Sequence, residues 1–511
     1  MNVQDRRVQA VQVGALALLF AAFPLLEAVQ CRSLSSLTNS DIWWHLSTGL
    51  WMLQHHALPH TGIFSQAAER PWIAASWLFD LKLAIYYRLL GLRAIPMCAM
   101  FFKAGLGVVT FLLAGGRRGN FWGAVAISVI AQYVLGGLPA TALYGSVIFL
   151  GVELLLLLES RQHAQMLWWL APLFLVWANV DVNFVYGLGA LVLFVFAEVV
   201  SAALQSASTG AGFTAALTRS ATQKKRAFLA GALCFVATLF TPYFYRPYQV
   251  FFATAWNGAN AYLPDHKALG FRQPQDYVLL LFVMAAFLAL GLRRSRNLFL
   301  IAALAAGAGL SFYSQHDAWL VTLAAVAVMG ETLAGAVHPA EARDAETRDE
   351  AETRDKKDAS AKYPAGGRTI WIAAALTAVA LVAAAAALVP RSGRLMTKVA
   401  ESYPVAAADS IRSHRMAQPI FNAFEWGGFL TWYLPEFPVA IDGRVDLYGD
   451  DFIIEYSKVM NADVRYTEFP ALAGAQTIVL PRTAIMAQAM ATVSGYKVAY
   501  QDDVAVVISR E

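Results

Sequence analysis

Residues 370–388 read Ile-Trp-Ile-Ala-Ala-Ala-Leu-Thr-Ala-Val-Ala-Leu-Val-Ala-Ala-Ala-Ala-Ala-Leu, a run without a single charge. At about 1.5 Å of rise per residue, such a helix crosses a hydrocarbon core of about 30 Å. On its N-terminal side lies a charged stretch, 337–368, in which Ala-Glu-Thr-Arg-Asp occurs at 345–349 and again at 351–355. Mixed charge without apolar residues cannot build a core, so this reads as a solvated linker, and two copies are too few for a solenoid. On its C-terminal side lie residues 391–511, enough chain for one domain.

Ten further apolar runs precede it: 11–30, 95–115, 121–138, 141–158, 167–180, 184–204, 228–241, 275–292, 297–313 and 317–336, which makes eleven candidate spans in all. The chain of 511 residues is 58% hydrophobic and 14% charged, with a mean hydropathy of +0.49. Soluble chains carry about 25% charged residues, so a soluble protein is excluded. The charge is also uneven: the linker holds 15 charged residues and the tail 25, leaving 34 for the remaining 358 positions. A net charge of +4 on so apolar a chain gives no footprint for nucleic acid. Cys31, Cys98 and Cys234 are far apart and lack CxxC spacing, which indicates neither a disulfide framework nor a zinc site.

Lys and Arg in short loops set the orientation. Arg6-Arg7 places the N-terminus in the cytoplasm, and the first run reads as an uncleaved anchor rather than a signal peptide, because Ala28-Val29-Gln30 is a poor cleavage site. Arg117-Arg118, Arg161, Arg219 with Lys224, Lys225 and Arg226, and then Arg293, Arg294 and Arg296 all fall on the cytoplasmic side if 73–91 does not cross. That segment carries Asp80, Lys82 and Arg88 and reads as an interfacial helix. Parity puts the tail outside, where helix expected at 405–414, 451–460 and 484–493 alternates with strand at 419–424, 439–441, 477–480 and a hairpin at 496–509. The expected fold is therefore an α-helical polytopic membrane protein with a small C-terminal α/β domain outside the cytoplasm.

With this topology the scattered polar residues gather on the outer face. The densest stretch is Asn39 to Gly49; with Ser40 as cap, Asp41, His45 and Thr48 share one helix face, and Trp44 lies beside them. A carboxylate beside a histidine serves as general base with its orienting partner; the plainer reading is dipole complementation and an interfacial tryptophan belt. Lys103 and Glu153 lie inside spans, where they either neutralise each other or leave Lys103 to hold a lipid phosphate. Asn179, Asp181 and Asn183 read equally as helix caps or substrate contacts. Arg246, His266 and Lys267 suit a phosphate or lipid headgroups; His316-Asp317 reads as a polar helix start ahead of a proton relay. In the tail, Glu425-Trp426-Gly427-Gly428 opens a helix after a strand, a weak anion-binding signal. Asp442, Arg444 and Asp446 follow another strand, either as ligand contacts or, ranked somewhat higher, as a structural ion network.

At these residues the chain resembles a family of bacterial multi-pass membrane proteins with the layout of the membrane-embedded C superfamily of glycosyltransferases (GT-C). The resemblance rests on Asp41-Ile-Trp43-Trp44-His45-Leu-Ser-Thr-Gly49, Pro59, Phe64-Ser65, Trp77-Leu78, Trp177-Ala178-Asn179, Thr241-Pro242-Tyr243, Asn422 to Leu430 and Asp442-Gly443-Arg444, in that order. It implies transfer of a sugar from a polyprenyl-phosphate donor to an envelope lipid, glycan or protein on the outer face of a bacterial inner membrane, with Asp41 as base on the acceptor hydroxyl. It also implies substrate contacts from Trp44, His45, Asp80, Asn179, Asp181, Arg246, His316, Glu425, Asp442 and Arg444. No cofactor or metal is expected, since the loop lacks a run of acidic ligands. The chain departs from the family pattern at Gly62, at Ala75-Ser76 and at Val180-Asp181, where the family carries Asp, His-Glu and His. The alternative is therefore a non-catalytic scaffold or binding protein for lipid-linked glycans. A transporter ranks last, because no two-fold internal repeat is visible.

Overall fold

The computed structural model describes residues 3–30, 37–117, 120–208, 221–255, 257–263, 266–334 and 366–511. Cys31, Arg118, Arg219 and the linker up to 365 lie outside the described residues.

Every one of the apolar runs is a helix: Val3–Gln30, Ala94–Leu113, Phe121–Leu135, Leu143–Glu159, Leu170–Val180, Phe184–Ser208, Ala221–Thr238, Pro274–Leu292, Leu298–Tyr313, Ala318–Ala334 and Gly366–Leu388. Short polar residues start several of them. Asn120 accepts from the Gly123 amide at 3.0 Å, and Asn297 accepts from the Leu300 amide at 3.3 Å. Leu18, Phe101, Phe196, Leu281 and Leu376 point outward from the bundle, an arrangement stable only in an apolar solvent, as expected of a multi-pass membrane protein.

Length and composition alone qualify five helical stretches as spans: Arg7–Gln30, Trp77–Leu113, Phe184–Leu204, Pro274–Leu292 and Ile370–Leu388. The others are shorter or less apolar; Leu170–Val180 is lengthened by a 3-10 turn over Ala164–Trp169. The segment expected at the interface differs most. Trp77–Leu90 continues through the turn Gly91–Arg93 into Ala94–Leu113, forming one 37-residue apolar run. Two of its charges are accommodated by protein: Asp80 is fully buried, and the Lys82 ammonium lies over the Phe79 and Phe102 rings, while Arg88 is exposed.

The tail contains four strands, β1 Ile420–Asn422, β2 Thr477–Pro481, β3 Tyr496–Gln501 and β4 Ala505–Arg510, in the order β1-β2-β4-β3. β1 runs parallel to β2, and the other two pairings are antiparallel. Helices Val405–Ser413, Asp450–Met460 and Ile485–Met490 complete the alternation. The strand expected at 439–441 does not join this sheet. Val439 instead bridges in parallel to Ser65 of the first loop, with its amide donating to Phe64 O at 3.0 Å and its carbonyl accepting from Gln66 N at 3.0 Å.

That bridge belongs to a broad seam between the tail and the first loop. Trp43, fully buried on the first-loop helix Asp41–His55, meets Tyr403, Phe429 and Trp432 at ring centroid distances of 5.7, 5.5 and 4.8 Å. Ser47 Oγ lies 3.1 Å from Thr431 Oγ1, and Tyr403 donates its hydroxyl proton to Thr38 O at 2.9 Å. Aromatic burial of this extent welds the two segments into one body, although the Trp43 indole N–H is buried without a hydrogen-bond partner among the described residues.

Gly428 is where the two helices come closest. A Cβ there would overlap the Ser40 carbonyl, whereas one at Gly393 would meet nothing within 4 Å. Gly428→Ala is expected to cost about 1–3 kcal/mol by overpacking, read as a lower thermal midpoint of the detergent-solubilised protein; Gly393→Ala leaves the midpoint unchanged or slightly raised. Equal midpoints for the two variants would show that the seam is not closely packed.

Candidate functional site

The first-loop helix is capped by Asn39, not by Ser40. The Asn39 side-chain oxygen accepts from the amides of Asp41 at 3.0 Å and Ile42 at 3.2 Å. Ser40 is displaced from that role because its carbonyl faces Gly428 of the tail. Asp41, the first residue of the helix, is half-buried and accepts a hydrogen bond from Trp44 Nε1 at 3.2 Å. Trp44 stacks on His45 at 3.7 Å and meets Trp72 edge-on at 6.3 Å.

His45 does not partner Asp41. Its Nδ1 lies 2.5 Å from Asp80 Oδ1, and both side chains are buried. The i, i+4 spacing places Asp41 and His45 on neighbouring turns, but close approach of Trp77–Leu90 supplies a nearer carboxylate. Gly49 permits it, since a Cβ there would overlap the Asp80 carbonyl. The second oxygen of Asp80 has no hydrogen-bond partner among the described residues.

From the tail, Asp442 and Arg444 form a bidentate pair, Nε to Oδ1 at 2.9 Å and Nη2 to Oδ2 at 2.6 Å, with both residues buried. Tyr448 donates to Ser65 Oγ at 3.0 Å and approaches Asp442 Oδ2 at 3.1 Å; the Arg444 guanidinium lies 4.9 Å over the Trp72 ring. The structural ion network is thus the arrangement present, and it is anchored on the first loop. Burial pushes the Asp446 carboxyl up to about 6, against the downward pull of Arg444. Glu425, by contrast, is exposed at the start of Phe424–Tyr433. The Gly-Gly pair after it serves packing rather than an anion: Gly427 makes room for the Ile441 carbonyl as Gly428 does for that of Ser40.

In the membrane body, Lys103 pairs with Glu27 at 2.6 Å rather than with Glu153. Glu153 is fully buried against Gly187 and Trp177, and neither of its oxygens has a hydrogen-bond partner among the described residues. Asn179 is structural: it accepts from Trp77 Nε1 at 2.9 Å and donates to Leu175 O and Phe240 O at 2.8 and 3.1 Å. Asp181 accepts from Ser146 Oγ at 2.5 Å and Asn183 Nδ2 at 2.8 Å, so its carboxylate is engaged within the protein. Arg246 is exposed at the start of Arg246–Ala255 and lines neither cavity described below.

Two cavities meet at His316. The larger, about 1120 Å³, has apolar walls that include Leu150, Leu154, Leu193, Phe251 and Leu310, and a polar end with Asn183, Lys267, Ser314 and Asp317. Ser314 is buried there with its hydroxyl unpartnered among the described residues. His316 stacks on His266 at 4.8 Å and approaches Asp317 Oδ1 at 3.2 Å. The smaller cavity, about 740 Å³, is lined by Glu27, Lys103, Thr38, Asn39 and His316 among others, so it reaches the cap of the helix that carries Asp41. Among the described residues no group of three or more His, Cys, Asp or Glu is placed to hold a metal ion.

Residues absent from the sequence-based set complete this picture. The roles of Trp72 and Tyr448, and the contact of Gly443 within the quoted Asp442-Gly443-Arg444 stretch, are legible only from the tail's docking. Glu27 carries a signal in the sequence, as a lone acidic residue at the end of the first apolar run.

Three solved structures are among those to which the chain is similar. These are ArnT from Cupriavidus metallidurans bound to undecaprenyl phosphate (13% identity, 96% of this chain and 97% of that one, TM-score 0.47) and the same protein in the apo state (12%, 92% and 93%, 0.44). The third is the Archaeoglobus fulgidus oligosaccharyltransferase tethered with an acceptor peptide containing the NVT sequon (11%, 92% and 69%, 0.48). No protein-family model and no curated protein matches the sequence.

Two outcomes follow from the charges. Lys103→Met leaves a buried carboxylate without its cation and is expected to cost about 3–5 kcal/mol, most of it recovered by adding Glu27→Met, as read from thermal midpoints. For Asp446, a folded value of about 6 above an unfolded value of about 3.9 means the proton is bound better in the folded state. Its stabilisation is present below about pH 4 and is lost as the pH rises through 6. Asp446→Asn is expected to raise the midpoint at pH 8 and leave it unchanged at pH 4; no difference between the two pH values contradicts the assignment.

Proposed function

We propose that the protein is a membrane glycosyltransferase that moves a sugar from a polyprenyl-phosphate donor to an envelope lipid, glycan or protein acceptor on the periplasmic face of the inner membrane. The observation that carries this reading is the larger cavity: long apolar walls suit an isoprenoid chain, and Lys267, His266, His316 and the Ser314 hydroxyl at one end suit a phosphate. The smaller cavity, sharing His316 and bordered by Asn39, offers the acceptor a route toward Asp41.

In this reaction Asp41 takes the proton of the acceptor hydroxyl as that oxygen bonds to the anomeric carbon on the face opposite the phosphate. The bond from the anomeric carbon to the phosphate oxygen breaks, the polyprenyl phosphate leaves with the electron pair, and the product is inverted. Lys267 and the histidines steady the charge on the leaving phosphate. His45 and Asp80 act on Asp41 only through the Trp44 ring that rests on His45.

The second reading, a binding protein for lipid-linked glycans, is favoured by one observation: Asp181, the residue that would substitute for the His the family carries after Trp-Ala-Asn, is occupied by Ser146 and Asn183. A polyprenyl-phosphate-linked sugar offered to the purified full chain separates the two. Free polyprenyl phosphate is expected from the wild type, with a loss on the order of 100-fold in Asp41→Asn and a lowered kcat in Lys267→Ala, whose cation meets the charge that develops on the leaving phosphate. Binding without release by the wild type would establish the second reading. Release at the wild-type rate by Asp41→Asn would remove Asp41 from the chemistry.

A further inference from the structure

Asp41 does not stand alone on its helix. A Cβ built on Gly443 would overlap its Oδ1, lie 3.0 Å from Trp44 Nε1 and lie 3.2 Å from the Asp41 carboxyl carbon. The carboxylate therefore rests against the bare backbone of the tail turn on one side and takes the indole N–H of Trp44 on the other. The turn itself is held firmly. Arg444 N donates to Asp442 Oδ1 at 3.0 Å, the guanidinium clamps the same carboxylate through two bonds, and Val445 N closes on Gly443 O at 2.9 Å. Asn422 secures the preceding backbone by donating to Ile441 O at 2.8 Å and accepting from Ala440 N at 2.9 Å.

We propose that the turn Asp442-Gly443-Arg444 is a positioning element that fixes the carboxylate of Asp41, with Gly443 as the residue whose missing side chain sets its place. The proposal rests on reading Asp41 as the base. It gives the tail a direct part in the site: a segment about 400 positions away in sequence defines one wall of the base's rotamer space, as catalytic geometry requires of its supporting shell. A displacement of about 1 Å at such a group costs on the order of 100-fold in rate. A methyl group at Gly443 is accommodated only by moving the Asp41 carboxylate, because that is the group it meets.

The test uses the full chain and two independent readouts. In sugar transfer, Gly443→Ala is expected to lower kcat at least about tenfold with the donor KM within about twofold, and the double variant with Asp41→Asn is expected to be no slower than Asp41→Asn alone. Losses that multiply in the double variant, or full activity of Gly443→Ala, would overturn the proposal. The second readout needs no catalysis: a cysteine introduced as Asp41→Cys is labelled by a thiol reagent, and Gly443→Ala is expected to change its labelling rate several-fold. Unchanged labelling overturns the proposal even if the wild type transfers no sugar, whereas changed labelling without transfer refutes only the enzymatic reading. If Gly443→Ala does not fold, Arg444→Lys replaces it. A lysine keeps the charge but not the two-pronged bond to Asp442, so it loosens the turn without adding bulk; the same labelling change is expected, and its absence is decisive against the proposal.

Discussion

The burial of Trp43 between the first-loop helix and the tail is the contact on which the outer part of the structure depends. Its indole is enclosed by Tyr403, Phe429 and Trp432, residues from a segment that begins beyond the last apolar helix. Around it hydrogen bonds cross the seam from Ser47 to Thr431, Tyr403 to Thr38, and Gln66 to Val439. Without this contact the helix carrying Asp41 would have one side facing solvent, and the turn at 442–444 would have nothing to rest on. Gly427 and Gly428 are the local price of the approach, since only the absence of a Cβ admits the facing carbonyls.

The two buried ion pairs have different places in this architecture. Lys103 and Glu27 lie in the membrane body and border the smaller cavity, whereas Asp442 and Arg444 lie at the junction of tail and loop. Each pair is stable only as a pair, because removing one member leaves a charge in a medium that cannot hydrate it. Glu153 has no such partner among the described residues, and its carboxyl sits against Trp177 and Gly187. The larger cavity is lined by Leu150 and Leu154 of the same helix.

Hydrophobic runs carried most of the fold in plain view. All eleven apolar segments are helices, and in the tail the helices at 405–413 and 450–460, the strand at 477–481 and the closing hairpin lie within a few residues of their expected places. Periodicity reports local structure well because the burial of each helix or strand is written along its own length. It failed where a segment's partner lay elsewhere. Val439 has a strand pattern but pairs with Ser65 rather than the tail sheet, and Asp80 of Trp77–Leu90 is buried in protein while Arg88 at the end of that helix is exposed.

The site was less legible for the same reason. Asp41 and His45 have helical spacing, but the carboxylate that meets His45 is Asp80, brought in by helix packing at Gly49. Arg246 and Glu425 have suitable chemistry and are exposed, while Asp442 and Arg444 bind each other. Nothing in the spacing of one chain reveals that Gly443 meets Asp41; only the docked tail does. The central claim, that loop and tail form one body, is tested most directly by placing cysteines at Ser47 and Thr431 in a chain whose Cys31, Cys98 and Cys234 are replaced by Ser. The two hydroxyl oxygens are 3.1 Å apart, so a disulfide is expected on mild oxidation in intact membranes. Failure to cross-link, with both single-cysteine chains folded, would contradict the docked arrangement.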